Sequence, residues 1–295
     1  MRDRFSVCLI AMAAAVVAAA SLGAQAPRGP ALVAGCPQEP AQFHPCALAK
    51  AKTYDPPRTP DGKPDLQGIW RGATGGTANI EAHPMTFDTD ADPTMVVDPP
   101  DGKIPYQPWA DAQRKVNVEK YIEPAVPCFP ASVPRSMYMP TGFQIVQRPD
   151  QIVVILERAH YYRSIRLDGT PHVGSTVLLW QGDSRGHWEG NTLVIDVTNQ
   201  NAQNWFDQLG NFFSDTAHMV ERITPVDANT MDYEVRIEDP NVYTRPWTMA
   251  FPLRRNMQKG YEQWEEACHE GEENTQHRLR LGQQLYPGVH GKQVK

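Results

Sequence analysis

Residues 214–223 read SDTAHMVERI, in which Asp215, His218, Glu221 and Arg222 are set among apolar side chains with the alternation of a strand. A carboxylate carried into a barrel or sheet interior loses its hydration, and its acidity shifts toward neutral pH, where it can hold or exchange a proton. Glu221 with His218 or His172 would then form an acid/base pair for a cofactor-free elimination, isomerisation or hydrolysis, with Arg163 or Arg166 neutralising developing negative charge. The competing use of the same residues is structural: Arg163, Arg166 or Arg245 meets an inward Glu221 as an ion pair and fixes the fold without doing chemistry.

A second polar group comes from ERAHYYRSIRLDGTPH, where His160, Tyr162, Arg166 and His172 can converge with Asp183 of QGDSRG. Between these groups lies WFDQLGNFFSD, with Trp205, Phe206, Phe212 and Phe213 in nine residues. So many aromatics form either a lid over a ligand or a plug beneath the loop. Together these residues define the candidate ligand contacts: Trp205, Phe212, Phe213, Tyr162, Arg163, Arg166, His160 and Asp183. Ser184 lies near histidine and aspartate, but no GxSxG elbow surrounds it, which argues against a serine hydrolase. With no GxGxxG and no phosphate loop, no nucleotide cofactor is expected. No CxxC, HxH or HExxH spacing is present either, so no metal site is expected from local sequence.

These groups must be positioned by strands. In TMDYEVRIE the apolar Met231, Tyr233, Val235 and Ile237 alternate with Asp232, Glu234, Arg236 and Glu238, which defines an inner face. Pairing Thr224 with Thr230 across a five-residue loop sets Arg222 opposite Asp232 and turns Met219, Glu221 and Ile223 inward. The alternative register opposes Glu221 to Glu234 and is disfavoured by like charge. From residue 143 onward, strand-like runs recur about every ten residues with turn signals between them: FQIVQ, IVVILE, YYRSIRL, TVLLW, then HW and TLVIDVTN flanking Glu189-Gly190-Asn191, HMVERI, TMDYEVRIE, TRPWTMAFPLRR and YEQWEEAC. No helix of crossover length interrupts them, which predicts an antiparallel meander. Counting PDLQGIW at residues 64–70, eight to nine strands suffice to close a barrel around one small ligand.

The triplet Gly68-Ile69-Trp70, ahead of such a meander, is similar to the opening strand of the lipocalins and the wider calycin group. That resemblance implies a closed barrel with Trp70 across its floor and a late-strand arginine, Arg254 or Arg255, stacked on the ring. TPDGKPDLQGIW, GHWEGNTLVIDVTN, TAHMVERITPVDANT and EDPNVYTRPW resemble, over residues 58–271, a group of exported proteins of Gram-negative soil and aquatic bacteria. The group has no settled activity, so the resemblance implies export and fold and assigns no residue a role.

Twenty of the 27 prolines precede residue 141, which reads as a mostly extended segment over 27–140 with a first strand at 66–71 and one helix over 106–122. The barrel is expected over 141–271, with a tail at 272–295. Residues 1–26 have Arg2 and Arg4, an apolar run and the small-residue sites Ala24 and Ala26, as in a secretory signal peptide cut after either alanine. The run is too short for a membrane span. VAGC at residues 33–36 looks like a lipoprotein box, but prolines separate it from the apolar run, so lipid anchoring at Cys36 is the lesser reading. A formal charge of −6 on 295 residues, with no basic block, argues against nucleic acid or an anionic membrane surface as partner. Four cysteines remain beyond the signal, and four allow three pairings. The local Cys36–Cys46 pair is favoured, with Cys128–Cys268 at long range. The function classes left open are a small-molecule-binding barrel, the cofactor-free enzyme, and an envelope structural or interaction protein. The oligomeric state is not encoded in any pattern found.

Overall fold

The structure is a computed structural model that describes residues 32–72, 75–85, 91–159, 161–264, 266, 268 and 273–291. The signal stretch and His160 lie outside the described residues. The chain opens with a short hairpin, β1 (Leu32–Val33) and β2 (Cys36–Pro37), followed by helix α1 (Pro40–Ala51). Then come β3 (Gly68–Arg71), β4 (Val96–Asp98) and α2 (Pro108–Lys120). The remaining strands are β5 (Phe143–Gln147), β6 (Gln151–Leu156), β7 (Tyr162–Arg166), β8 (Asp183–Glu189), β9 (Thr192–Thr198), β10 (His218–Asp227), β11 (Thr230–Glu238) and β12 (Trp247–Arg255). Helix α3 (Glu273–Arg280) follows.

Strands β5 to β12 pair in sequence order, β12 pairs with β3, and β3 pairs with β5, which closes a nine-stranded barrel. The mainly β, barrel-forming reading is therefore correct, and β4 adds to the free edge of β12. Three details differ from the sequence reading. TVLLW is not a strand; residues 176–179 are exposed loop, and polar DSRGHWE forms β8 instead. As a result β7 and β8 run parallel, paired only through Ile165–Ser184 and Arg166–Arg185, with residues 167–182 as the crossover. YEQWEEAC contributes no strand among its described residues.

The extension is also more ordered than its prolines imply. CPQEPAQFHPC, read as a loop, enters α1: Pro40 occupies the first turn, where its missing N–H costs nothing. Phe43 and Ala47 bury themselves against Val226 of β10. The expected helix over 106–122 is α2, so among its described residues the extension holds two α-helices rather than one. Ala131, Val133, Met137, Tyr138 and Met139, in the segment expected to be extended loop, are buried. Tyr138 meets Phe251 edge-on at 5.6 Å and its hydroxyl donates to the Phe206 carbonyl at 2.7 Å.

Both disulfides form, Cys36 with Cys46 and Cys128 with Cys268. The first engages the thiol that lipid attachment at Cys36 would require. Among the described residues no helix is long and apolar enough to cross a membrane.

The register of β10 and β11 is neither of the two weighed from sequence. Arg222 stands opposite Glu234, and Asp227 pairs with Thr230 across a two-residue turn after a bulge. The bulge lets Val226 pack under α1. Because the slip is two residues, every side chain keeps its face, and Met219, Glu221 and Ile223 point inward as expected, all buried.

Trp70 is 1 % exposed, its indole N–H donates to the Leu66 carbonyl at 2.9 Å, and the Arg255 guanidinium lies 4.2 Å from its ring centre. Gly68 makes this stack possible: a Cβ there would sit 2.1 Å from Arg255 Nη1. Replacing Trp70 with phenylalanine leaves the Leu66 carbonyl unpaired and thins the stack, so a loss of about 2 kcal/mol is expected in urea denaturation.

The aromatic cluster is a plug. Phe206, Phe212 and Phe213 are fully buried and Trp205 nearly so; Phe206 packs on Phe213 and Trp247 at 5.2 and 5.6 Å. Trp205, Phe212 and Phe213 are therefore core residues, not ligand contacts. Asp207 folds back beneath them and accepts from the backbone of Ile80 at 3.0 Å and Leu209 at 2.9 Å, and from the Asn211 amide at 2.5 Å. Burial pushes its carboxyl up to about 6, against the lowering effect of those donors. A folded-state pKa above the unfolded value gives stability that is complete below about pH 4 and is lost as pH rises through 6. About two pKa units correspond to roughly 3 kcal/mol. Urea midpoints from pH 4.5 to 7.5 should therefore fall more steeply for the natural chain than for Asp207→Asn. Parallel pH curves would show that Asp207 does not titrate in this range.

Candidate functional site

Among the described residues the inner face of the barrel carries a charged cluster built on Glu221. Arg163 of β7 donates through Nη1 to Glu221 Oε1 at 3.0 Å and through Nη2 to Glu221 Oε2. Its Nε and Nη2 also donate to Ser184 Oγ, at 3.0 and 2.9 Å. The Tyr233 hydroxyl donates to Glu221 Oε1 at 2.5 Å, and burial together with the Glu221 charge holds that phenol well above its ordinary value. All four side chains are essentially inaccessible. Every oxygen of Glu221 is thus taken by a donor, and Ser184 serves the arginine rather than any histidine. Of the arginines considered, Arg163 is the partner. Arg245 lies outside on Asp98 at 2.8 Å and Arg166 outside on Asp168 at 2.5 Å.

The histidines stand on the other side of the wall. His218 opens β10 facing outward, and its Nε2 lies 2.9 Å from Asp196 Oδ2. His172 bridges Asp183 Oδ2 at 2.8 Å and Asp196 Oδ1 at 2.9 Å. The expected pairing of Glu221 with His218 or His172 is therefore not present: strand alternation puts His218 outward and Glu221 inward, so no single bound molecule can touch both. Both ring nitrogens of His172 already face carboxylates. Of the other charged groups in SDTAHMVERI, Arg222 binds Glu189 at 2.8 Å and Asp215 lies 3.2 Å from His290. They belong to the solvated face.

Where β7 and β8 part company, a cleft of about 670 Å³ opens. Tyr162, Arg166 and Asp183 line it, and Arg163 reaches its floor. The structure thus brings together four of the eight predicted ligand contacts. Trp180, missed because TVLLW read as a strand, forms one wall and packs on Phe129 at 4.8 Å. Tyr161, whose hydroxyl accepts from the Ala131 backbone and is pushed up to about 12 by burial, forms another. Arg185 grips Asp183 with two hydrogen bonds of 3.0 Å. Burial opposes it, but donors from His172, the Val173 backbone and Arg185 hold the Asp183 carboxyl below its usual range. Beside the cleft Val173, Val177, Leu178 and Leu179 are exposed on the crossover loop.

Along the barrel axis the situation is opposite. Phe143, Val154, Tyr233, Met249 and Phe251, all inward-facing, are no more than 2 % exposed and close-packed, while Trp70 borders a small pocket of about 120 Å³ with Met231 and Arg255. No family model, no curated protein and no solved structure matches the chain.

Proposed function

We propose that this is an exported β-barrel protein that binds a small, partly apolar ligand carrying an anionic group, in the lateral cleft between β7 and β8 rather than along the barrel axis. The observation that carries the reading is the cleft itself: about 670 Å³, with Tyr161, Tyr162 and Trp180 as aromatic walls and Arg166 and Arg185 at its edge. Volume and lining of this kind suit a small molecule that stacks on one side and ion-pairs on the other. The N-terminal signal pattern and the two disulfides support export to an oxidising compartment, in keeping with the resemblance to exported Gram-negative proteins. The close packing of Phe143, Tyr233, Met249 and Phe251 along the axis favours the lateral cleft over the interior as the place of binding, and the pairing of Glu221 with Arg163 favours a structural over an acid/base role for that carboxylate. A second reading, an envelope interaction protein, is favoured by the exposed aliphatic side chains of Val177, Leu178 and Leu179 beside the cleft.

Native mass spectrometry of the chain purified from a bacterial periplasm, followed by titration with the molecule it releases, tests the proposal. Trp180→Ala and Arg166→Ser are each expected to weaken that binding at least tenfold, about 1.4 kcal/mol, with the melting temperature unchanged in Arg166→Ser and lowered in Trp180→Ala only by the lost contact with Phe129. A ligand whose affinity ignores both changes, or a chain that carries none, would leave the interaction reading in its place.

A further inference from the structure

On β11, Asp232 and Glu234 are two residues apart and so share the outer face. Helix α1 lies over that face. Phe43 and Ala47 anchor the helix on Val226, and the Cys36–Cys46 bridge ties its second turn back to β2. That anchoring sets His44 directly against the two carboxylates. His44 Nδ1 lies 2.9 Å from Asp232 Oδ2, and Nε2 lies 3.7 Å from Glu234 Oε2. Among the described residues this is the one group of three histidine, cysteine or acidic side chains whose ligand atoms all fall within 4.8 Å of one another.

One atom in this group lacks a partner. Asp232 is 1 % exposed, one oxygen meets His44, and the other, Oδ1, is buried with no hydrogen bond. A buried carboxylate oxygen without a donor is costly, and such an atom in a native fold calls for a partner such as an ion. The donors fit one. Two carboxylates and a neutral imidazole carry two negative charges, matched by a divalent cation, and one nitrogen with two oxygens is a donor set taken by zinc and its neighbours. Tetrahedral zinc holds its ligands at about 2.0–2.2 Å, which sets ligand atoms roughly 3.3–3.5 Å apart. One ring nitrogen of His44 would ligate the ion, and with one ligand atom from each residue the three lie within 4.8 Å of one another, so shifts of up to about 1.5 Å bring them to that geometry. His44 and Glu234 are partly exposed, which gives a metal its entry path and leaves a fourth position for water.

We propose that His44, Asp232 and Glu234 bind a divalent zinc-class metal ion that fastens α1 to the outer wall of the barrel. The site is independent of the lateral cleft and of the ligand-binding reading. Local spacing could not have shown it, since one ligand comes from the extension and two from β11, 188 residues and more away.

The test uses the full exported chain, stripped with a chelator and titrated with zinc chloride in a calorimeter, with cobalt chloride as an optical probe. One zinc per chain, a raised melting temperature and a visible cobalt absorption are expected. Asp232→Asn and His44→Gln should each weaken zinc binding at least tenfold and abolish the cobalt band, whereas His218→Gln should change neither. If either variant fails to fold, Glu234→Gln at the more exposed position takes its place with the same expected loss. Absence of stoichiometric binding by the natural chain, or binding that survives these changes, overturns the proposal and leaves the three residues as a helix clamp held by charge alone.

Discussion

Replacing Cys128 and Cys268 together with serine is expected to lower stability by about 5 kcal/mol, the loop-closure value for a bridge of this span in the chain-entropy model. The bridge spans 140 residues and encloses strands β5 to β12. It also ties the chain just before the buried segment 131–139 to the chain beyond β12. In the unfolded chain it removes the freedom of that whole loop, and in the folded chain it holds Tyr138 and its neighbours beneath Phe206. The Cys36–Cys46 bridge spans only 10 residues, and the same model gives it about 2.5 kcal/mol. Urea denaturation of the two double-serine variants should therefore rank them in that order. Equal losses would mean that the segment 131–139 holds itself in place by packing and that the long bridge adds no more than the short one.

How far the sequence could be read depended on whether a residue's environment is built from near or far in the chain. Strand alternation is local, so the inward face of β11 and the position of Glu221 were legible even though the turn between β10 and β11 was not. The bulge at Asp227 answers to Val226 packing under α1, a contact with residues far earlier in the chain. The stack on Trp70 was legible only through the resemblance of Gly68-Ile69-Trp70 to a lipocalin opening strand, which left Arg254 and Arg255 both open; in the fold it is Arg255 that takes the space beside Gly68. The segment TVLLW was misread because apolar character was equated with burial. Its side chains border a surface cleft, and the polar DSRGHWE took the strand position, since Ser184 and Trp188 supply the inward face while Asp183 and Arg185 serve the cleft. Helix α1 was hidden by its prolines. Pro45 sits inside it and removes a helical hydrogen bond, a cost offset by the disulfide one residue on and by the burial of Phe43. The His44 cluster could not have been found by spacing at all.

The inner cluster carries the other large effect. Changing Arg163 to methionine would leave Glu221 fully buried with only the Tyr233 hydroxyl and no cation, and removing one partner of a buried pair costs about 3–5 kcal/mol. Glu221→Gln keeps the shape and the bond from Tyr233 but strands the guanidinium on Ser184, so it too should lower the melting temperature, by less than Arg163→Met. The double variant Arg163→Met, Glu221→Leu fills the same space without charge, and buried pairs replaced in this way lose little or gain. A double-mutant cycle in urea should therefore give strongly non-additive losses. The cycle also decides between structure and chemistry. A cluster that only fixes the wall behind the lateral cleft predicts lower stability with ligand affinity nearly unchanged in Glu221→Gln. If that variant instead keeps its melting temperature and loses binding, Glu221 works on the ligand through the cleft floor at Arg163, and the site must be extended inward across the barrel wall.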